Sequence, residues 1–253
     1  MPGFTNILLS QGSRGSISVI EDDPDFGETF MLLHSEFDQL YDVTGFPALN
    51  VVGSGVVSTD QAKFGTQSFY NPGTAASSSG LDYVSVQGSG SPTDFEFPGD
   101  FTWEGWFYIN SQQDNFMNIF TNNIAFPATG YMQVARADST NALFVNFSGV
   151  GSGSGPLLPL GEWLHIAIVR EGTSIAGFVN GVGQVMVTGG ATVGGSNLGI
   201  STFDIGRAIA ADNGDLDAYF EEIRVSKVAR YSLTGSPLTL EIPTAPFPPY
   251  PGL

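Results

Sequence analysis

An all-β chain of two packed antiparallel sheets is the fold class this sequence predicts, on three observations. No stretch of a dozen residues has apolar positions recurring at three and four with caps at both ends, so no long helix is expected. Short alternating or continuous apolar runs follow one another from residue 29 to residue 226, separated by glycine-rich turns. No repeat of fixed length is visible, which favours a two-sheet sandwich over a propeller.

The runs, in order, are TFMLLHSEF (29–37), ALNVV (48–52), TQSFYN (66–71), DYVSVQ (82–87), FTWEGWFYIN (101–110), MNIFTNN (117–123), GYMQVAR (130–136), ALFVNFS (142–148), EWLHIAIVR (162–170), SIAGFVNG (174–181), QVMVTG (184–189), STFDIGR (201–207) and AYFEEIRVS (218–226). Each is expected as a strand. Glu171-Gly172 and Asn180-Gly181 are turn dipeptides, and the second can take the positive φ of a tight hairpin. The stretches GTAASSSG (73–80), GVGSGSGP (149–156) and GGATVGGSN (189–197) are too short to separate two cores and are read as rim loops.

Three segments follow: an extended N-terminal arm over 1–29, the sandwich over 30–236, and a proline-rich C-terminal tail over 237–253. Extended segments without a core of their own are either frayed or strapped-down ends, or arms that fasten a module to a neighbour, and both readings stand at this point. The length of 253 residues suits one sandwich domain.

A net charge of −17 with only 8 Lys and Arg would repel a phosphate backbone, so nucleic acid is excluded as a partner. There are no cysteines, so no disulfide holds the fold. The N-terminus MPGFTNILLSQGSRGS has no basic n-region or long apolar h-region, and no run of apolar residues is long enough to span a bilayer. A soluble, unprocessed chain without membrane insertion is expected, made in a host cytoplasm without a signal peptide.

The ordered motifs MLLHSEF, AKFGTQSFYN, DYVSV, DFTWEGWFYI, GEWLHIAIVREG, GFVNGV, FDIGRA, FEEIRVSKVARY and PTAPF cover roughly residues 30–247. Together they resemble the concanavalin A-like lectin/glucanase superfamily, in the laminin G-like branch found in phage structural proteins. The resemblance implies a jelly-roll sandwich, a fold shared by glycosidases, lectins, adhesion domains and virion parts, so the site must decide the function.

FTWEGWFYIN carries the first test. With the period of two that a strand imposes, Phe101, Trp103, Gly105, Phe107 and Ile109 face one side, and Thr102, Glu104, Trp106, Tyr108 and Asn110 the other. Glucanases of the superfamily place acidic residues at alternate positions along one strand, and a retaining glycosidase needs two carboxylates about 5 Å apart. Only Glu104 stands there, so no catalytic residue is assigned, unless a loop residue such as Asp82 completes a pair. AYFEEIRVS places Glu222 with Phe220 and Arg224 on one face and Glu221 on the other, and Glu222 with Arg224 reads as a structural ion pair.

Glu104, Trp106 and Tyr108 are the candidate carbohydrate contacts, provided that the face is open; a tryptophan on a sandwich strand is more often packing. His165 reads as a hydrogen-bonded core imidazole. Asp212, Asn213, Asp215 and Asp217 crowd hard oxygen ligands of the sort calcium takes, without the spacing of an EF-hand, so the loop is first a solvated acidic turn and second a calcium site. No cofactor is required by this reading.

The expected function is a non-enzymatic bacteriophage virion structural protein. It would be a lectin-like sandwich on the particle surface, as capsid decoration or a tail or fibre component, and would contact other virion proteins through its arms and glycans on a surface. A homo-oligomer is compatible with it. The rival is a carbohydrate-binding host-recognition adhesin, with a polysaccharide hydrolase ranked last.

Overall fold

A computed structural model describes residues 23–248, except 37, 46–47, 74–81, 90, 92, 113, 123, 195–201, 208–212 and the side chains of 213 and 214. All the expected runs are strands, with ends displaced by no more than two residues. The larger sheet has the order Gln39–Asp42, Thr29–Glu36, Ala218–Ser226, Phe101–Ile109, Trp163–Glu171, Ser174–Val179, Val182–Thr188, Leu238–Thr239. Ser68–Asn71 also joins it, pairing with Ala218–Ser226 and with Val56–Ser58. The facing sheet runs Gly151–Leu157, Ala142–Phe147, Met132–Ala137, Phe116–Thr121, Thr202–Ile205, Tyr83–Gln87, Ala48–Val52.

The two sheets enclose one core. Phe101, Trp103, Phe107 and Ile109 all enter it, as the alternation in FTWEGWFYIN predicts. Phe97, Phe101, Phe120, Phe147 and Phe203 ring Trp103 at centroid distances of 4.6–6.4 Å, mostly edge to face, the geometry that ring quadrupoles favour. Two hairpins form at the expected dipeptides, with Gly172 at φ 61° and Asn180 and Gly181 at φ 46° and 79°.

GVGSGSGP is a strand instead of a rim loop: Gly151–Leu157 pairs with Ala142–Phe147. A Cβ at Gly153 would lie 2.0 Å from the Met186 carbonyl oxygen, so the absence of side chains is what lets the edges of the two sheets close on each other.

The Ala218–Ser226 strand departs from the expected alternation. Glu221 opposes Trp106 and Arg224 opposes Glu104, so one extra residue is accommodated between them. Glu222 takes φ 55° at this bulge, where the strand's other neighbour changes from Ser68–Asn71 to Thr29–Glu36. A side chain at Gly105, opposite the bulge, would collide with Ile223 Cδ1 at 2.4 Å, which accounts for the glycine inside FTWEGWFYIN. The bulge overturns the grouping of Phe220, Glu222 and Arg224 on one face. Phe220 and Ile223 enter the core, while Glu221 and Arg224 oppose outward-facing Trp106 and Glu104.

The described parts of both ends lie on the sandwich. Asp23 accepts from Arg224 at 3.2 Å and from Arg230 at 2.8 Å, tying residues 23–28 down. The C-terminal segment crosses the outer face of the larger sheet as a strap. Leu238 packs with Ala167, Val169, Ala176 and Phe178, Leu238–Thr239 pairs with Val182–Thr188, and the Phe247 ring sits 3.7 Å from the Arg224 guanidinium. Residues 237–248 are therefore no free tail; residues 1–22 and 249–253 lie outside the described residues.

Candidate functional site: an aromatic row on the outer face

Glu104 and Thr102 project from the Phe101–Ile109 strand onto the face that the strap covers, and both are 0% exposed. Glu104 Oε1 accepts from Arg224 Nε and Nη2 at 2.9 and 2.7 Å; Oε2 accepts from Tyr231 Oη at 2.8 Å and from His165 Nε2 at 3.1 Å. A carboxylate has only acceptors, so His165 Nε2 carries the proton toward it. Burial alone would raise the Glu104 pKa, but the Arg224 charge and the His165 and Tyr231 hydrogen bonds outweigh it and hold the carboxyl at about 2.

Glu104 is therefore the anchor of a buried polar network and not a sugar contact. The partner of Arg224 is Glu104, together with Asp23, instead of Glu222. Asp82, the residue suggested as a second acid, accepts from Ser54 N and Oγ at 2.7 and 2.8 Å. His165 is the buried, hydrogen-bonded imidazole that its setting predicts.

Trp106, two residues nearer the strand end, is 3% exposed. The loop before Ser68–Asn71 covers it: Lys63 Nζ lies 3.9 Å from its ring, and Phe64 meets it edge-on at 5.8 Å. Trp106 is thus removed as an open platform by a segment remote in sequence. Glu221 secures that loop by accepting from Lys63 N at 2.6 Å and Phe64 N at 3.1 Å. Burial pushes the Glu221 carboxyl up to about 7, and the backbone donors only partly offset the rise.

Glu222 accepts from Phe247 N at 2.7 Å and lies 2.6 Å from His34 Nδ1. The two glutamates border a cleft of about 400 Å³ lined also by Glu36, Asp38, Phe64 and Gln67. All four of their carboxylate oxygens already meet donors from the protein.

The remaining row on this face is different. Trp163 is paired with Tyr108, Tyr108 with Tyr219, and Tyr219 with Tyr70, so four aromatic side chains stand side by side on four neighbouring strands. All four are half-buried, and Val56, the next residue in the row, is 52% exposed. Tyr70 and Tyr219 stack at 4.5 Å; Tyr108 is turned 80° from Tyr219 and 65° from Trp163. The row offers a strip of ring surface roughly 15 Å long at the usual spacing of neighbouring strands.

Asp217 closes one side of the row, accepting from Asn110 Nδ2 at 2.8 Å, Ser111 Oγ at 2.6 Å and Tyr70 Oη at 3.4 Å. Burial, then Asp217, raises the Tyr70 hydroxyl pKa; burial, then Asp60 and Asp217, raises that of Tyr219.

Of the expected contacts, Tyr108 alone belongs to this row. The others were detectable singly, each as an outward residue near a strand end in TQSFYN, EWLHIAIVR or AYFEEIRVS, but nothing in the sequence states which strands are neighbours. The expected calcium ligands divide. Asp217 serves the row and Asp215 accepts from Asp82 N at 3.1 Å, both buried, while Asp212 and the Asn213 side chain lie outside the described residues. Among the described residues no three His, Asp or Glu side chains are grouped as a metal site.

Solved structures share this architecture at low identity. Domain 4 of AbnA, an extracellular GH43 arabinanase from Geobacillus stearothermophilus, solved with arabinotriose, aligns with a TM-score of 0.56 and 16% identity over 80% of this chain and 94% of that one. The sialidase of Trypanosoma rangeli aligns at 0.56 and 14% over 80% of this chain and 31% of that one. The binding domain of botulinum neurotoxin DC in complex with SialylT aligns at 0.54 and 13%, over 80% and 48%. The chain thus spans less than half the length of the latter two. No curated protein matches it in sequence. The profile of the Laminin_G_3 family matches residues 78–232, more than half of the sequence, and with the jelly-roll sandwich around it this chain belongs to that family of the concanavalin A-like lectin/glucanases superfamily.

Proposed function

We propose that this chain is a non-enzymatic, glycan-binding sandwich displayed on the surface of a bacteriophage particle. The observation that carries the binding role is the half-buried row Trp163, Tyr108, Tyr219 and Tyr70, on a face whose other rows the protein covers with its own chain. Flat apolar rings beside hydrogen-bonding hydroxyls and an amide-held carboxylate suit a sugar, whose C–H faces pack on rings while its hydroxyls take up polar partners. Neighbours of the fold have been solved with arabinotriose and with SialylT, in keeping with such a role.

A non-catalytic role is favoured because Glu104 is locked under the strap and both oxygens of Glu221 and of Glu222 are taken by protein donors. The particle setting rests on the likeness of the VSKVARY and PTAPF motifs to phage structural proteins and on the chain's strong acidity.

A glycan array probed with the whole chain tests the binding role, which fails if no glycan is retained above the level of a Tyr108→Ala, Tyr219→Ala double variant. Mass spectrometry of purified virions tests the setting, which fails if peptides of the chain are missing from clean particles.

A further inference from the structure

Charge at the row narrows the class of glycan. An acidic sugar, sialylated or uronic, needs a cation to offset the desolvation of its carboxylate. The chain has 8 Lys and Arg residues, and one of them, Arg14, lies outside the described residues. The others are engaged elsewhere. Arg136 is held by Leu158 O and Asn141, and Arg170 by the carbonyls of Gly172 and Ala191. Arg207 pairs with Asp204, and Arg224 and Arg230 are tied to Glu104 and Asp23. Lys63 lies over Trp106 and Lys227 over Phe30, so among the described residues no cation is directed at the row.

Carboxylates are what lie near it. Asp217 bonds Tyr70, Asn110 and Ser111, Asp60 acts on Tyr219, and Asp82 acts on Tyr70. A second carboxylate brought onto the rings would meet like charge, on a chain already at −17.

Shape adds chain length. The four rings follow the hydrogen-bonding direction of the sheet and lie across the strands, and the row ends at Val56, 52% exposed. A strip roughly 15 Å long exceeds a single sugar ring and suits several consecutive ones.

From these observations we infer that the row takes an extended, uncharged glycan chain laid across the strands and discriminates against sialylated and uronic glycans. This rests on the glycan-binding reading above and specifies its ligand.

The test is calorimetry on the full chain with the di-, tetra- and hexasaccharides of cellulose, xylan and arabinan, against sialyllactose and hexagalacturonate. One neutral series should tighten about tenfold or more from disaccharide to hexasaccharide, as further rings engage. The acidic oligosaccharides should bind about tenfold more weakly than that hexasaccharide at low salt.

Tyr219→Ala should weaken the hexasaccharide about fivefold or more, as loss of an aromatic anchor does. Because that variant also removes packing, Val56→Tyr supplies a second readout at an exposed position: it extends the row, and should tighten the hexasaccharide while leaving the disaccharide unchanged.

Acidic oligosaccharides binding as tightly as neutral ones, with both variants shifting them, would overturn the charge argument and leave glycan binding intact. Hexasaccharide binding indifferent to both variants would overturn the site. Self-association of the chain abolished by Tyr219→Ala would make the row a protein contact and overturn the inference. Silence across the whole panel and the array would defeat the glycan-binding reading itself.

Discussion

Glu104 and Tyr108 project from one strand onto the same side of the larger sheet, yet Glu104 has no exposed surface and Tyr108 is half-buried. What separates them is the cover. Over Glu104 the strap brings Tyr231 and, one row further, the Val228 carbonyl to Thr102 and the Arg230 amide to the same hydroxyl. Over Trp106 the Lys63–Phe64 loop closes, and beyond Trp106 the rings of Tyr108 and its neighbours in the row are half-buried.

At the covered end both Glu104 oxygens meet donors, from Arg224 on one side and Tyr231 and His165 on the other, which fixes the carboxylate in one arrangement. An end left half-open can keep aromatic side chains in place by packing them against one another, as the Tyr70–Tyr219 stack does, and still present them. On one sheet face, locked rows and half-open rows are thus divided by which of them the chain folds back to cover.

The largest effect that would test this division is at the covered end. Glu104→Ala leaves the buried Arg224 charge without its main partner and should cost roughly 3–5 kcal/mol in urea unfolding. A cost near zero would mean that the strap end is not the locked end. Phe247→Ala acts on the strap, removing a ring that is 5% exposed and lies on Arg224. It should cost about 2–3 kcal/mol, and limited proteolysis should then cut within residues 228–248 before the sandwich is degraded.

A smaller effect is expected from pH, with opposite signs at two glutamates of this face. The folded-state pKa of Glu221, about 7, lies above its ordinary 4.5, so its contribution is present below 4.5 and is lost as pH rises through 7. Glu104, held at about 2, contributes stability above 4.5 that is lost as pH falls toward 2. Carboxyl NMR titrations should give one midpoint near 7 and one near 2, and denaturant stability should decline between pH 5 and pH 8. A Glu221 midpoint near 4.5 would remove the Lys63–Phe64 loop as the source of its burial.

The smallest effect sharpens the open end. Tyr108→Phe keeps the ring and removes only a hydroxyl, so stability should change by no more than about 0.5 kcal/mol. Any larger loss would assign Tyr108 to the locked network.

Much of this was legible in the sequence because it depends on local periodicity. Period two in FTWEGWFYIN selected the core residues Phe101, Trp103, Phe107 and Ile109, and Asn180-Gly181 announced its hairpin, since both are set by the geometry of a strand and of its turn. The same rule failed at AYFEEIRVS, where an added residue at Glu222 shifts the alternation and brings both glutamates to the border of one cleft. It failed again at GVGSGSGP, where glycines that read as a loop serve a close approach between sheet edges.

The sequence by itself determined the all-β class, most of the strand positions, the outward direction of Tyr108 and a charge that leaves few cations to spend. The tertiary structure decided that Trp106 is covered, that Glu104 is an anchor, and that Tyr108 has Trp163, Tyr219 and Tyr70 as companions. The reason is physical. The direction of a side chain is fixed by its own strand, whereas its neighbours and its exposure depend on segments far away along the chain, whose pairing follows from closing the whole sandwich.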